Sequence, residues 1–183
     1  MKDYSKDLDV RLVLVDLNDC DVDTKWKLRD WRNREDIRKW MDTRHIISNE
    51  EHNKWLEKIQ FNPTQKQFVV FANDEPVGLV GFQEINHDHK TCYEHIYMAK
   101  AKGIAVRVEK MALNWLFTET DIEKCALYFY EGNPVYYVHL KTGFKMEGRI
   151  VSFAVMDGKR VDVIFMGQSR EEWIEHNRQE DLR

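Results

Sequence analysis

Three prolines, three cysteines and eight glycines among 183 residues already narrow the field. Cys20, Cys92 and Cys125 are odd in number and far apart, without the paired spacing of a zinc site or a disulfide framework. They fit a reduced, cytoplasmic chain in which buried cysteine is structural. Basic residues are also in short supply: 28 Lys and Arg face 32 Asp and Glu, a net charge of −4. With no surplus to neutralise a phosphate backbone, nucleic-acid binding is not expected, and any basic site must be local. Long apolar runs are missing too, and the opening "MKDYSKDLDV" is acidic with no hydrophobic segment, so neither a membrane span nor a signal peptide is expected. His87 and His89 alternate as strand ligands could, but no third ligand stands nearby and a solvated turn suits them better, so no metal is expected.

What is present describes a globular chain. Hydrophobic residues make up 43% and charged residues 33%, and no repeat, linker or low-complexity segment interrupts them. The length suits one domain, residues 1–183, with a core of about 8–170 and a charged C-terminal helix over 169–180.

Apolar alternation in "VRLVLVDL" (10–17) predicts a strand, and Trp26, Leu28 and Trp31 after a run of aspartates predict a helix. Ser48 or Asn49 caps a second helix carrying His52, Trp55, Leu56 and Ile59. "KQFVVFANDEPVGLVGFQEIN" reads as a hairpin turned at "NDEP", "TCYEHIYM" as a further strand, and the residues after Gly103 as a helix of about 13 residues. "KCALYFYE" is a strand and "NPVYYVHLKTGF" a short helix stopped at Gly143. A second hairpin turned at "DGK" and a tail helix complete an α/β order of β, α, α, β, β, β, α, β, α, β, β before the tail, with helices packed on both faces of a sheet.

The stretch "AKAKGIAVRVEKMALNWLF" (99–117) places a basic, glycine-bearing turn where a helix starts. A strand ending at Met98 would deliver the free N–H groups of the helix's first turn to one point, which attracts anions. Gly103 and Ala105 leave the backbone uncovered, and Lys100, Lys102 and Arg107 add positive charge, an arrangement suited to a phosphorylated cofactor.

The spacing Lys100-Ala101-Lys102-Gly103-Ile104-Ala105 resembles the Arg/Gln-x-x-Gly-x-Gly/Ala signature of the GCN5-related N-acetyltransferases, with lysine in first place. "GNPVYYVHLKTGFKMEGR" resembles that family's Asn-Glu-Pro-Ala-x-x-Leu-Tyr-x-x-x-Gly-Phe-x-x-Glu-Gly segment. "DWRNREDIRKWMDTRHIISNEEHNKWLEKI" and "EGRIVSFAVMDGKRVDVIFM" resemble the nucleotide-sugar acetyltransferases of the pseudaminic-acid pathway, so the likeness runs from about residue 25 to 170.

The resemblance implies the family's α/β fold, a mixed, mostly antiparallel sheet of about seven strands splayed between strands 4 and 5. It implies acetyl-CoA as cosubstrate, held by Ile96, Tyr97 and Met98 on strand 4, by Lys102, Gly103, Ile104, Ala105 and Arg107 on the loop, and by Asn133. Backbone N–H near Ile96 to Met98 would stabilise the oxyanion as an amine attacks directly. Glu84 is the candidate general base, with Glu94 and His95 as alternatives.

His139 stands five residues before Phe144, where the family carries a tyrosine that protonates the departing thiolate; Tyr136, one turn earlier, could supply a phenol instead. Arg32 and His52 match the family's nucleotide-binding arginine and histidine, with Arg44 and Trp40 as weaker candidates for the same cleft. Gly81, Gln83 and Glu84 depart from the family's sugar-contacting residues, which leaves the sugar open. The reading is an acetyl-CoA-dependent N-acetyltransferase of a nucleotide-linked amino sugar, with a homodimer left open. Its rivals are the same fold acting on a protein N-terminus or a polyamine, and a CoA-binding module that has lost its chemistry.

Overall fold

A computed structural model describes residues 1–4 and 9–181 of the chain. The domain limits 1–183 and the core's expected start at residue 8 include positions outside the described residues. One sheet contains β1 Leu12–Asp16, β2 Lys66–Ala72, β3 Glu75–Asn86, β4 Thr91–Met98, β5 Lys124–Tyr130, β6 Lys145–Met156 and β7 Lys159–Ser169. Its order is β1-β2-β3-β4-β5-β7-β6, with every neighbouring pair antiparallel except β4 and β5. The helices are α1 Val22–Asn33, α2 Glu35–Arg38, α3 Asn49–Gln60, α4 Ala105–Glu119, α5 Tyr136–Lys141 and α6 Arg170–Asp181. No helix among the described residues is long and apolar enough to cross a membrane.

The near-continuous apolar run of β2 is explained by burial on both faces. Phe68 and Val70 join a core with Val108, Ala112, Leu113 and Leu116 of α4, while Val69 joins a second core with Leu28, Trp31 and Ile59 of α1 and α3. Helices therefore cover both faces, as the order of strands and helices predicts. α4 runs 15 residues, two beyond the expected length. Between β1 and β2 the structure has the short helix α2 in addition to the two helices that periodicity marks. Four residues are too few to show a helical period.

α3 begins with a capping box: the Ser48 hydroxyl accepts from Glu51 N at 3.2 Å, and Glu51 Oε2 accepts from Ser48 N at 2.8 Å. Because α3 forms one wall of the cleft described below, its start matters to the site. Ser48→Ala is expected to lower the unfolding free energy by about 1 kcal/mol, read as a lower urea midpoint at unchanged slope.

The sheet opens where the parallel pair ends. β4 and β5 are in register only at Thr91↔Lys124, Cys92↔Cys125 and Tyr93↔Ala126. Past Tyr93 each strand keeps its outer partner, β4 with β3 as far as Met98 and β5 with β7 as far as Tyr130. The two inner edges therefore part with their backbone polar groups facing the gap.

Candidate active site

The gap between β4 and β5 leads to the loop that joins β4 to α4. Gly103 has φ +80°, a left-handed conformation that glycine adopts freely. Helix α4 begins at Ala105 with no side-chain cap on its first turn and no acidic residue in it, so its positive end is left for another acceptor. Ala101 and Ile104 point into the core while Lys102 and Gly103 stay exposed. The loop is braced from two sides. Arg34 Nη1 donates to the Ala99 carbonyl at 2.5 Å, and Lys2–Asp3 pairs in parallel with Ala101–Lys102. The Arg107 guanidinium donates to the Val10 carbonyl at 3.0 Å, so it ties α4 to the chain before β1. The uncapped helix end, the left-handed glycine and the exposed lysines together fit a pyrophosphate.

On the α1 and α3 side of the sheet lies a cleft of about 520 Å³, walled by Arg32, Asp42, His52, Trp55, Gln83 and Tyr97 among others. Ile96, half-buried on the free edge of β4, reaches the same cleft, and Met98 ends that strand against the core. Arg32 Nη1 is buried without a hydrogen-bond partner. Burial holds this guanidinium below its usual range, an effect opposed by Tyr97 and Asp42. His95 Nε2 donates to Gln67 Oε1 at 2.8 Å, and burial beside the Arg32 charge pushes its pKa down to about 4. Such an imidazole is neutral at neutral pH and a weak base.

His52 is placed differently from Arg32. Its Nε2 meets the Lys25 carbonyl at 2.9 Å, and its ring lies 5.2 Å from that of Trp26 and 5.5 Å from that of Trp55. Burial lowers its pKa, so it lines the cleft as a neutral, anchored ring. The segment after α2 closes over this cleft: Asp42 accepts from the Tyr128 and Tyr130 hydroxyls of β5 at 2.7 and 2.5 Å. Burial and the Asp42 carboxylate push Tyr130 up to about 12. Arg44 reaches Asp157 at 3.3 Å in the turn between β6 and β7.

The remaining sequence candidates are spread around the gap. Glu84 is exposed at a β3 irregularity with φ +52°, close enough for its charge to act on Tyr128. Asn133 Oδ1 accepts from Val135 N at 3.1 Å and so shapes the turn into α5. Tyr136 is half-buried with its ring 5.9 Å from that of Phe129. His139 is buried, its Nδ1 2.5 Å from Glu109 Oε1, and Thr142 Oγ1 donates to Glu109 Oε2 at 2.5 Å. The structure thus joins His139 to Glu109, a residue the sequence reading passed over. The signal was available: Glu109 stands three, four and seven places before Ala112, Leu113 and Leu116, on the apolar stripe of α4.

A seven-stranded sheet that opens between two parallel strands, above a glycine turn and an uncapped helix, defines the acyl-CoA-binding architecture of an acetyltransferase. The family model described as Acetyltransferase (GNAT) domain matches residues 11–145, and the chain belongs to that family.

Among particular relatives, spermidine N(1)-acetyltransferase of Escherichia coli K12 is 30% identical over 107 residues, which cover 56% of this chain and 58% of that enzyme. Acetyltransferase PseH of Campylobacter jejuni (strain 81-176) is 26% identical over 120 residues, 65% of this chain and 73% of that protein. Among solved structures, spermidine N-acetyltransferase from Vibrio cholerae, in complex with CoA and spermine, superposes with a TM-score of 0.80. The identity there is 24%, covering 89% of this chain and 98% of that one.

Proposed function

We propose that this chain is an acetyl-CoA-dependent N-acetyltransferase whose acceptor is the amino group of a nucleotide-linked amino sugar. The observation that carries the acceptor class is Arg32. Its buried Nη1 has no partner on the wall of the cleft, and a desolvated guanidinium is matched by phosphate or another anionic oxygen. The two carboxylates lining the same cleft are already engaged, Asp42 by two phenols and Glu51 by Ser48 and His45. A polycation finds little there to pair with.

Acetyl-CoA supplies the thioester. The chain's own contribution is to hold it at the open edge of β4, to orient the acceptor from the α1 and α3 side, and to manage two protons. The attacking nitrogen must be neutral, and the departing sulfur must be protonated. Glu84 and Tyr136 are candidates for those transfers, as is His139.

A second reading is favoured by one specific observation, the 30% identity with a spermidine acetyltransferase. One assay separates the two: release of free CoA from acetyl-CoA with a UDP-linked 4-amino sugar, with the same sugar lacking UDP, and with spermidine. The nucleotide-sugar reading expects turnover of the first, competitive inhibition by UDP, and weak or no turnover of the others. Turnover of spermidine that UDP leaves untouched overturns it.

A further inference from the structure

Glu94, Glu109 and His139 come from three elements, β4, α4 and α5, yet one ligand atom of each lies within 4.8 Å of the others. All three are buried. Glu94 is the first residue of β4 beyond the last pair with β5, so the cluster sits at the fork of the gap. Both of its carboxylate oxygens are buried without a hydrogen-bond partner. Polar groups this costly to bury are held for a reason, and packing alone would be served better by leucine.

We infer that Glu109 holds His139 as the acid that protonates the departing CoA sulfur, a buried histidine–carboxylate pair standing where the family resemblance places a tyrosine. The inference rests on the acetyltransferase reading but not on which amine is acetylated. Nδ1 of His139 is committed to Glu109, which leaves Nε2 as the working nitrogen. Thr142 occupies the other oxygen of Glu109, so that carboxylate is fixed in one orientation. Glu109 is therefore a positioning residue, since it acts through the imidazole.

Charge counting supports the arrangement. Two carboxylates this close in a dry site cannot both ionise, and burial together with the neighbouring Glu109 pushes Glu94 well above the carboxylate range. The other titratable neighbours are the thiols of Cys92 on β4 and Cys125 on β5; burial raises Cys125 as well. Gln168 of β7 donates to the Thr142 carbonyl at 3.0 Å and brings no charge. As the C–S bond breaks, its electron pair leaves on sulfur and the Nε2 proton moves to it. The proton lost by the attacking nitrogen goes to water, and water reloads His139.

The test is the pH profile of kcat for CoA release, with the UDP-linked amino sugar, spermidine and water each tried as acceptor. The Glu109 charge stabilises the protonated imidazole, so Glu109→Gln should lower kcat by about tenfold or more and move the alkaline limb to lower pH. KM for acetyl-CoA should hold. Glu94→Gln keeps the shape and cannot ionise, so it should leave that limb in place. In a His139→Tyr background, which supplies a phenol, Glu109→Gln should no longer move the limb.

Imidazole nitrogen NMR shifts of the wild-type chain need neither a variant nor an acceptor, and they should show a strongly hydrogen-bonded proton on Nδ1 of His139. A neutral ring protonated only at Nε2, or a Glu109→Gln profile that coincides with wild type, overturns the inference. So does a divalent metal that copurifies and is lost in Glu94→Gln, because these three groups would then be its ligands. Turnover of spermidine alone sinks the acceptor reading and leaves this one standing.

Discussion

Gly103→Val abolishes the rise in melting temperature that acetyl-CoA gives the wild-type chain. The glycine sits at φ +80°, where a β-branched residue clashes with its own backbone, so the loop must rearrange to admit valine. The rearranged atoms are those that aim the uncapped first turn of α4 into the gap. A ligand present at about 100 times its Kd stabilises the folded chain by about 2.7 kcal/mol, and the variant should lose all of it. The loop is also braced by Lys2–Asp3 and by Arg34, so some loss of intrinsic stability is expected, with the chain still folded. Differential scanning fluorimetry with and without millimolar acetyl-CoA separates the two effects. A variant that melts lower but keeps the full ligand-induced rise would show that the pyrophosphate is bound elsewhere.

That prediction comes from a feature legible in the sequence, because a glycine turn before a helix is local. The same holds for most elements. Alternation in β1, the capping residues of α3 and the stripe of α4 are short-range patterns that tertiary packing did not overrule. Other features are not local. The parting of β4 from β5 depends on where a parallel register stops, and nothing in "TCYEHIYM" marks Tyr93 as its last paired residue. β6 shows the limit from another side. Its apolar run "IVSFAV" lies in the expected second hairpin, yet Val151 and Phe153 are 71% and 63% exposed at the edge of the sheet, with Ser152 in a left-handed bulge.

The site divides in the same way. Arg32 was nameable by resemblance, and it shares one cleft with Gln83, where the chain departs from the family, and with Ile96 and Tyr97, which the resemblance gave to acetyl-CoA. His52 was nameable too, but its partners are two indole rings and a backbone carbonyl, which spacing does not disclose. The Glu109 contact of His139 joins residues 30 apart on different helices. Only the stray charge on an apolar face hinted at it, and a hint of that kind names no partner.

Arg32→Met should separate binding from stability in opposite directions. A charge-assisted hydrogen bond to a buried group contributes about 1.5–3 kcal/mol, so losing it should raise KM for a UDP-linked amino sugar by about 10- to 150-fold at about 1.4 kcal/mol per decade. KM for acetyl-CoA should hold, because no residue of the loop 99–105 lines the cleft. The same sugar without its nucleotide should be indifferent to the change. Stability should move the other way. In the ligand-free chain Arg32 is a desolvated cation with an unpartnered Nη1, next to the apolar surfaces of Leu28, Met41 and Leu79 in the cleft wall. Replacing such a charge with an unbranched apolar side chain is neutral or stabilising, and the melting temperature should hold or rise. A residue kept for the fold alone would show the reverse, a lower melting temperature with acceptor KM unchanged. The two measurements on one variant therefore decide whether the unpaired guanidinium is there for the acceptor.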